Sequence, residues 1–199
     1  MSEFARWQLF DAEKAGASLA EIIKQVFTQV YNDDFSDAMM GINHQLSVDL
    51  RGWQVSESWQ EVWLLTPWKV SRVFFPVSLD VIADTVLPTE WQPDVRQDQP
   101  YCVIGSLMPI SVDAKSIQTH INYHPLLGHY WIQPLVQNMM KYVNNEAAYQ
   151  AWSEVIAFRN NVRAQKQAEL EAKEQDVKVA AAIENNVEVN RRAFLSRWL

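Results

Sequence analysis

The chain has 199 residues, 48% of them hydrophobic, and a formal net charge of -7. That is enough apolar material for a buried core, whereas an acidic surface repels the phosphates of nucleic acid, so proteins are the expected partners. The single cysteine, Cys102, excludes an internal disulfide and a cysteine-built metal site, in keeping with a reducing compartment.

The opening stretch MSEFARWQLFDAEK mixes acids and bases with no apolar signal region. No segment approaches the about 18 consecutive apolar residues that cross a bilayer, which predicts a soluble, cytoplasmic chain without membrane insertion. SLAEIIKQVFTQVYNDD follows, with Ser18 as N-cap and Leu19, Ile22, Ile23, Val26, Phe27 and Val30 at i, i+3, i+4 spacing. This predicts an amphipathic helix. From about Leu46 to Ser111, short runs rich in Val, Ile, Phe and Trp alternate with prolines, and LSVDL, EVWLLT, KVSRVFF and YCVIGSLM are the predicted strands.

All eight prolines and all five glycines lie at or before Pro134, so the last third is predicted to be helical. In it, Tyr149, Trp152, Val155 and Ile156 form an apolar stripe, RAQKQAELEAKEQD is almost wholly polar, and apolar residues return from Val177 to Trp198. The expected organisation is an α+β core over residues 1–143, with a small mixed or antiparallel sheet and an N-terminal helix, followed by a long C-terminal helical arm over residues 144–199. The arm's second apolar end has three possible destinations: back along itself, onto a second copy, or onto a client.

Chemistry-bearing patterns are sparse. His120, His124 and His129 occur in HINYHPLLGHY, and an i, i+4 histidine pair on a helix can ligate a metal. Pro125 biases His124 away from helical geometry, and no carboxylate or cysteine lies in the segment, so these read as surface or hydrogen-bonded histidines and no metal site is assigned. There is no G-x-G-x-x-G, P-loop or G-x-S-x-G pattern, which predicts no cofactor and no enzyme.

The densest signal is TPWKVSRVFFP, Thr66 to Pro76. Pro67 withholds an amide hydrogen and fixes φ, so one strand should end at Thr66-Pro67 and the next at Pro76. The ribbon between them carries Trp68, Phe74 and Phe75, with Trp59 and Trp63 before it. Side chains alternate across a strand, so these aromatics are either core on both faces or, on one face, anchors shown to a partner.

The spacing T-P-W, four residues, V-x-F-P resembles the signature of the HybE family, the assembly chaperones of nickel-iron hydrogenases. MMGINHQLSVD, YCVIGSLMPIS and the terminal NRRAFLSR resemble further segments of that family, in the same order. The resemblance covers roughly residues 36–111 and the last ten. Gly105 stands where the family has a cysteine, so no thiol role is carried over to Cys102. What the resemblance implies is a non-enzymatic cytoplasmic chaperone that binds hydrogenase subunit precursors or other maturation proteins before export. The partner-binding residues it implies are Thr66, Pro67, Trp68, Phe75, Pro76, Arg191, Arg192, Phe194 and Leu195.

Arg191-Arg192-x-Phe194-Leu195 is also similar to a twin-arginine export signal, placed at the opposite end of the chain from where such a signal is read. It either ends a helix, where cations favour the macrodipole, or imitates a client's signal in a carboxylate-lined groove suited to the arginine fork. The alternative overall reading is a helical adaptor or scaffold subunit that self-associates through its C-terminal helix.

Overall fold

The computed structural model describes residues 7–38, 40–113, 115–154 and 165. The chain divides into two compact units, Met1–Ala148 and Tyr149–Leu199. In the first, a short helix α1 (Ala12–Ala15) starts where the Asp11 carboxylate accepts from the amides of Glu13 and Lys14. The helix α2 (Leu19–Val30) follows. Its capping box is complete: Ser18 Oγ accepts from Glu21 N, and the Glu21 carboxylate accepts from Ser18 N. The Ser18 hydroxyl, donating to the Glu21 carboxylate at 2.7 Å, and the Ser18 amide hold that carboxyl below its usual range.

Leu19, Ile22, Ile23, Val26, Phe27 and Val30 are the buried face of α2, as their spacing predicts. Each fully buried side chain of this kind contributes about 1.5–3 kcal/mol. The helix relaxes into a wider π-type turn at Tyr31–Phe35.

The sheet has five strands: β1 (Asp49–Val55), β2 (Trp59–Thr66), β3 (Lys69–Pro76), β6 (His120–His124) and β7 (Gly128–Val136). They run in the order β1-β2-β3-β7-β6, every neighbouring pair antiparallel. A separate ribbon joins β4 (Ile110–Val112) to β5 (Lys115–Ile117). A short helix α3 (Pro93–Arg96) lies in the long β3–β4 connection.

Both faces of the sheet are covered, which explains why β2 and β3 read as nearly continuous apolar runs. Val62, Leu64, Val73, Phe75, Tyr130 and Ile132 join α2 in one core cluster. Phe74, Trp59, Trp131, Ile121 and Tyr123 meet Trp7, Ile82 and Trp91 in another. The large ribbon aromatics thus divide between two cores. Glu61 and Arg72 form a bidentate pair at 2.6 Å, and Arg72 also reaches Gln133 Oε1 at 3.3 Å.

The β2–β3 hairpin matches the expected strand ends at Thr66 and Pro76. Three expectations are corrected. LSVDL is displaced, because β1 begins only at Asp49. YCVIGSLM is no regular strand; among its residues Leu107 alone bridges, to His120. Gly105 passes so near its neighbours that an added Cβ would lie 1.8 Å from Ile121 O and 2.7 Å from the Trp91 ring. The segment nevertheless covers the β6 edge, through Met108 N to Thr119 O and Ile121 N to Ser106 O. Finally, Ile110 to Val136 supplies four strands, two of them in the main sheet. Pro125 and Gly128 are the punctuation of a tight β6–β7 hairpin, not the approach to a helix.

Residues 145–154 are helical. Tyr149 and Trp152 are buried, whereas Val155, Ile156 and the expected arm beyond them lie outside the described residues. Among the described residues, no helix is long and apolar enough to cross a membrane.

Candidate functional site

Thr66, Pro67, Trp68 and Lys69 form a corner held by side chain as well as backbone. Thr66 Oγ1 accepts from Lys69 N at 3.1 Å and donates to Lys69 O at 3.0 Å. Threonine thereby closes the two-residue turn that Pro67 pre-sets. The Pro67 carbonyl is not left bare: Asn43 N donates to it at 2.9 Å. Asn43 Nδ2 also donates to Met139 O at 2.8 Å and Tyr142 O at 2.6 Å. One buried asparagine therefore ties the corner, the loop around residue 43 and the 139–142 segment together.

Trp68 is 6% exposed and packs on Phe35, with ring centroids 4.5 Å apart, and on Tyr101 at 6.3 Å. Tyr101 in turn meets Phe35 and Phe27 edge-on, and Phe27 meets Tyr130. Phe75 stacks on Tyr130 at 5.7 Å. Within this aromatic lining, Trp68 Nε1 and the hydroxyls of Tyr101 and Tyr130 are buried without a hydrogen-bond partner, as is Arg96 Nε. Tyr101 keeps part of its surface exposed while its hydroxyl points inward. Buried polar atoms are usually paired, so this cluster is unusual.

The corner also buries a cation. Lys69 is 1% exposed, and its Nζ donates to Val103 O at 2.6 Å and lies 5.8 Å from the Tyr101 ring centre. No carboxylate among the described residues forms an ion pair with it. Burial pushes the ammonium down to about 7, with the nearby Cys102 thiol acting the other way. Desolvation likewise drives both tyrosine hydroxyls upward, so they stay protonated donors at neutral pH. The Cys102 thiol donates to Ile104 O at 3.0 Å.

Three segments distant in sequence thus meet here: the loop at 42–43, the turn at 66–69 and the stretch 101–103. They are the three internal stretches on which the family resemblance rests. Thr66, Pro67, Trp68, Phe75 and Pro76 are all buried. Trp68 meets Phe35 and Tyr101 rather than solvent, so an exposed Trp68 anchor is not what the structure contains. Arg191, Arg192, Phe194 and Leu195 lie outside the described residues.

Sequence reasoning passed over Lys69, Tyr101 and Tyr130. A lysine directly after T-P-W gives no local sign of burial. The only available hint is that it opens a strand otherwise rich in Val and Phe.

Three large apolar side chains close in sequence to the Asn43 junction are exposed. Met40 is 88% exposed, Met140 58% and Val143 70%. Each flanks a residue of the Asn43 junction: Met40 stands three positions before Asn43, and Met140 and Val143 directly follow Met139 and Tyr142.

The three histidines are not grouped at this corner. His120 Nδ1 contacts Gly105 O at 2.8 Å and His124 Nδ1 accepts from Leu126 N at 3.2 Å. His129 is buried between Gln8 and Trp91. Among the described residues no group of three metal-binding side chains is present.

The class of protein follows from comparison with known families. The family model for [NiFe]-hydrogenase assembly, chaperone, HybE matches residues 18–197, nearly the whole chain. The protein is therefore an assembly chaperone and not an enzyme. It belongs to the HybE family of [NiFe]-hydrogenase assembly chaperones. No curated protein matches the chain. The solution structure of HybE from Escherichia coli is similar at 14% identity and a TM-score of 0.42, over 65% of this chain and 68% of that one.

Proposed function

We propose that the protein acts in the cytoplasm by binding hydrogenase subunit precursors, or other maturation proteins, before export, and that the client docks over the Thr66–Lys69 corner. The observation that supports this is the Asn43 junction. It fixes the corner and ties together the two segments that carry exposed Met40, Met140 and Val143. Methionine is unbranched and polarizable, so it adapts to the irregular apolar surface of an unfinished subunit better than a rigid side chain does. Exposed apolar residues gathered together mark such contacts; scattered ones do not.

In this reading Thr66, Pro67, Trp68, Phe75 and Pro76 serve binding from beneath. They set the corner's shape and the positions of the loops above it. Arg191, Arg192, Phe194 and Leu195 supply a second contact from a helical arm over residues 144–199, separate from a core over residues 1–143. Self-association through the C-terminal helix is the competing use of that arm.

The test is affinity capture from cells that express the hydrogenase operon, with the parent and with Met40→Asp/Met140→Asp. The parent should return a hydrogenase precursor or maturation factor and the double variant should lose it while melting normally. If both capture the same partners equally, the client docks elsewhere; if the parent returns only copies of itself, the scaffold reading holds.

A further inference from the structure

The segment ahead of α1 is held against the β6–β7 hairpin by one histidine. Gln8 N donates to His129 Nδ1 at 2.9 Å, and His129 N donates to Gln8 O at 2.6 Å. An amide can only donate, so Nδ1 must be unprotonated. The ring proton is then on Nε2, which donates to Trp91 O at 2.9 Å. Trp7 covers His129 edge-on at 4.9 Å and stacks on Trp131 at 5.6 Å, and Tyr123 OH donates to Gln8 Oε1 at 2.7 Å. Gly128, at φ +68°, is what lets this backbone come so near, because an added Cβ there would lie 2.5 Å from Gln8 O.

A second ring proton breaks the bond that holds the strap. On Nδ1 it faces the Gln8 amide hydrogen, a donor meeting a donor. Gln8 O at 3.1 Å can accept that proton beside the His129 amide, but the bond from Gln8 N to Nδ1 is lost all the same. The charged ring would also be fully buried. Among the described residues the strap gives Trp7 and Gln8, β6 gives Tyr123 with His124 beyond, and the Trp91 side gives the guanidinium of Arg96 over the Trp91 ring and the Glu90 carboxylate, which accepts from Ser106 Oγ at 3.2 Å. Further along the strap, the Asp11 carboxylate caps α1 by accepting from the amides of Glu13 and Lys14. Burial accordingly pushes both His129 and His124 down.

We propose that Trp7 and Gln8 form a strap that His129 holds only while its Nδ1 is unprotonated, and that acidification lifts the strap and bares the aromatic surface of Trp131 and Tyr123. The sign follows from the shift. A histidine depressed in the folded state leaves the strapped form intact above its ordinary value of about 6.5 and weakens it as pH falls through the lower folded value.

The test is amide hydrogen exchange of the full chain, corrected for intrinsic rates, at about pH 7.5 and about pH 5. The Gln8 amide should lose about tenfold in protection, the loss of one hydrogen bond, while Val62 and Leu64 keep theirs. His129→Asn retains an acceptor that does not titrate and should abolish the pH dependence. A nuclear magnetic resonance titration of the His129 ring in the parent serves as a second measurement should that variant fail to fold, and its protonation should coincide with the loss of Gln8 protection. The proposal is overturned if Gln8 protection is constant or falls in step with the core, if His129→Asn responds like the parent, or if His129 titrates at its ordinary value or above.

Discussion

Lys69→Met offers a way to separate a corner that stabilises the fold from a corner that serves binding. In the unfolded chain this lysine titrates near 10.5 and in the folded chain near 7. At pH 7 the folded state must therefore bury an amine that water would hold charged, a penalty of about 4 kcal/mol relative to high pH. Methionine has similar length and no charge. It gives up the bond to Val103 O, worth about 1–3 kcal/mol including the bared carbonyl. The variant should therefore equal the parent at pH 7 or exceed it by about 1–3 kcal/mol, as buried ions replaced by apolar isosteres often do.

The pH response sharpens the test. Because the folded value is lowered, the lysine's penalty is fully present below about pH 7 and fades as pH rises toward 10.5. Between pH 7 and 9 the parent should gain about 2 kcal/mol relative to Lys69→Met. The tyrosine hydroxyls, driven upward by burial, stay protonated across that window. Urea unfolding at the two pH values measures the difference. A variant that loses more than about 2 kcal/mol at pH 7, or one whose pH response parallels the parent's, would refute the assignment of Lys69 as an uncompensated buried amine. If binding uses the corner, the stable variant should capture less client.

Other substitutions address separate claims. Trp68→Ala empties a buried aromatic site and should cost about 3–5 kcal/mol in chemical unfolding; a cost below about 1 kcal/mol would place Trp68 outside the packed core. Asn43→Ala removes the bonds to Met139 O and Tyr142 O. It should cost about 1–3 kcal/mol and speed hydrogen exchange in residues 139–143; unchanged exchange there would show that Asn43 does not join the segments. Replacing Arg191 and Arg192 by lysine keeps charge and loses the bidentate fork, so melting should hold while capture weakens. Full capture by that variant removes the signal-mimic reading of the tail.

Some of this molecule was legible before its fold was known. Helix α2 could be read because Ser18 marks its start and six apolar residues obey one period, and the structure buries those six. The hairpin could be read because Pro67 can end a strand and open a turn but cannot continue a ladder. Strands β6 and β7 were harder. HINYHPLLGHYW places histidines, a proline and a glycine inside two paired strands, where punctuation resembles a loop. The irregular path at 101–108 takes Gly105 past Ile121 O and Trp91, contacts made across the fold and invisible locally.

The corner itself was half legible. Its segments were picked out by resemblance, but their meeting depends on Asn43 N reaching Pro67 O and on Trp68 and Lys69 reaching Tyr101 and Val103 across the fold. Lys69 is the plainest case of what sequence conceals, since lysine is among the residues least often buried. Its environment is built by Tyr101 and Val103 from another part of the chain. Exposed Met40 and Met140 were also passed over, because exposure is a property of the folded surface and not of the local pattern.

The client-binding role rests most directly on whether exposed Met40 and Met140 hold the client. Capture of a hydrogenase precursor should be compared between the parent and Met40→Asp/Met140→Asp in the same cells, with melting measured alongside. The account predicts that the double variant melts like the parent and returns little or no precursor. A double variant that returns as much precursor as the parent would contradict it.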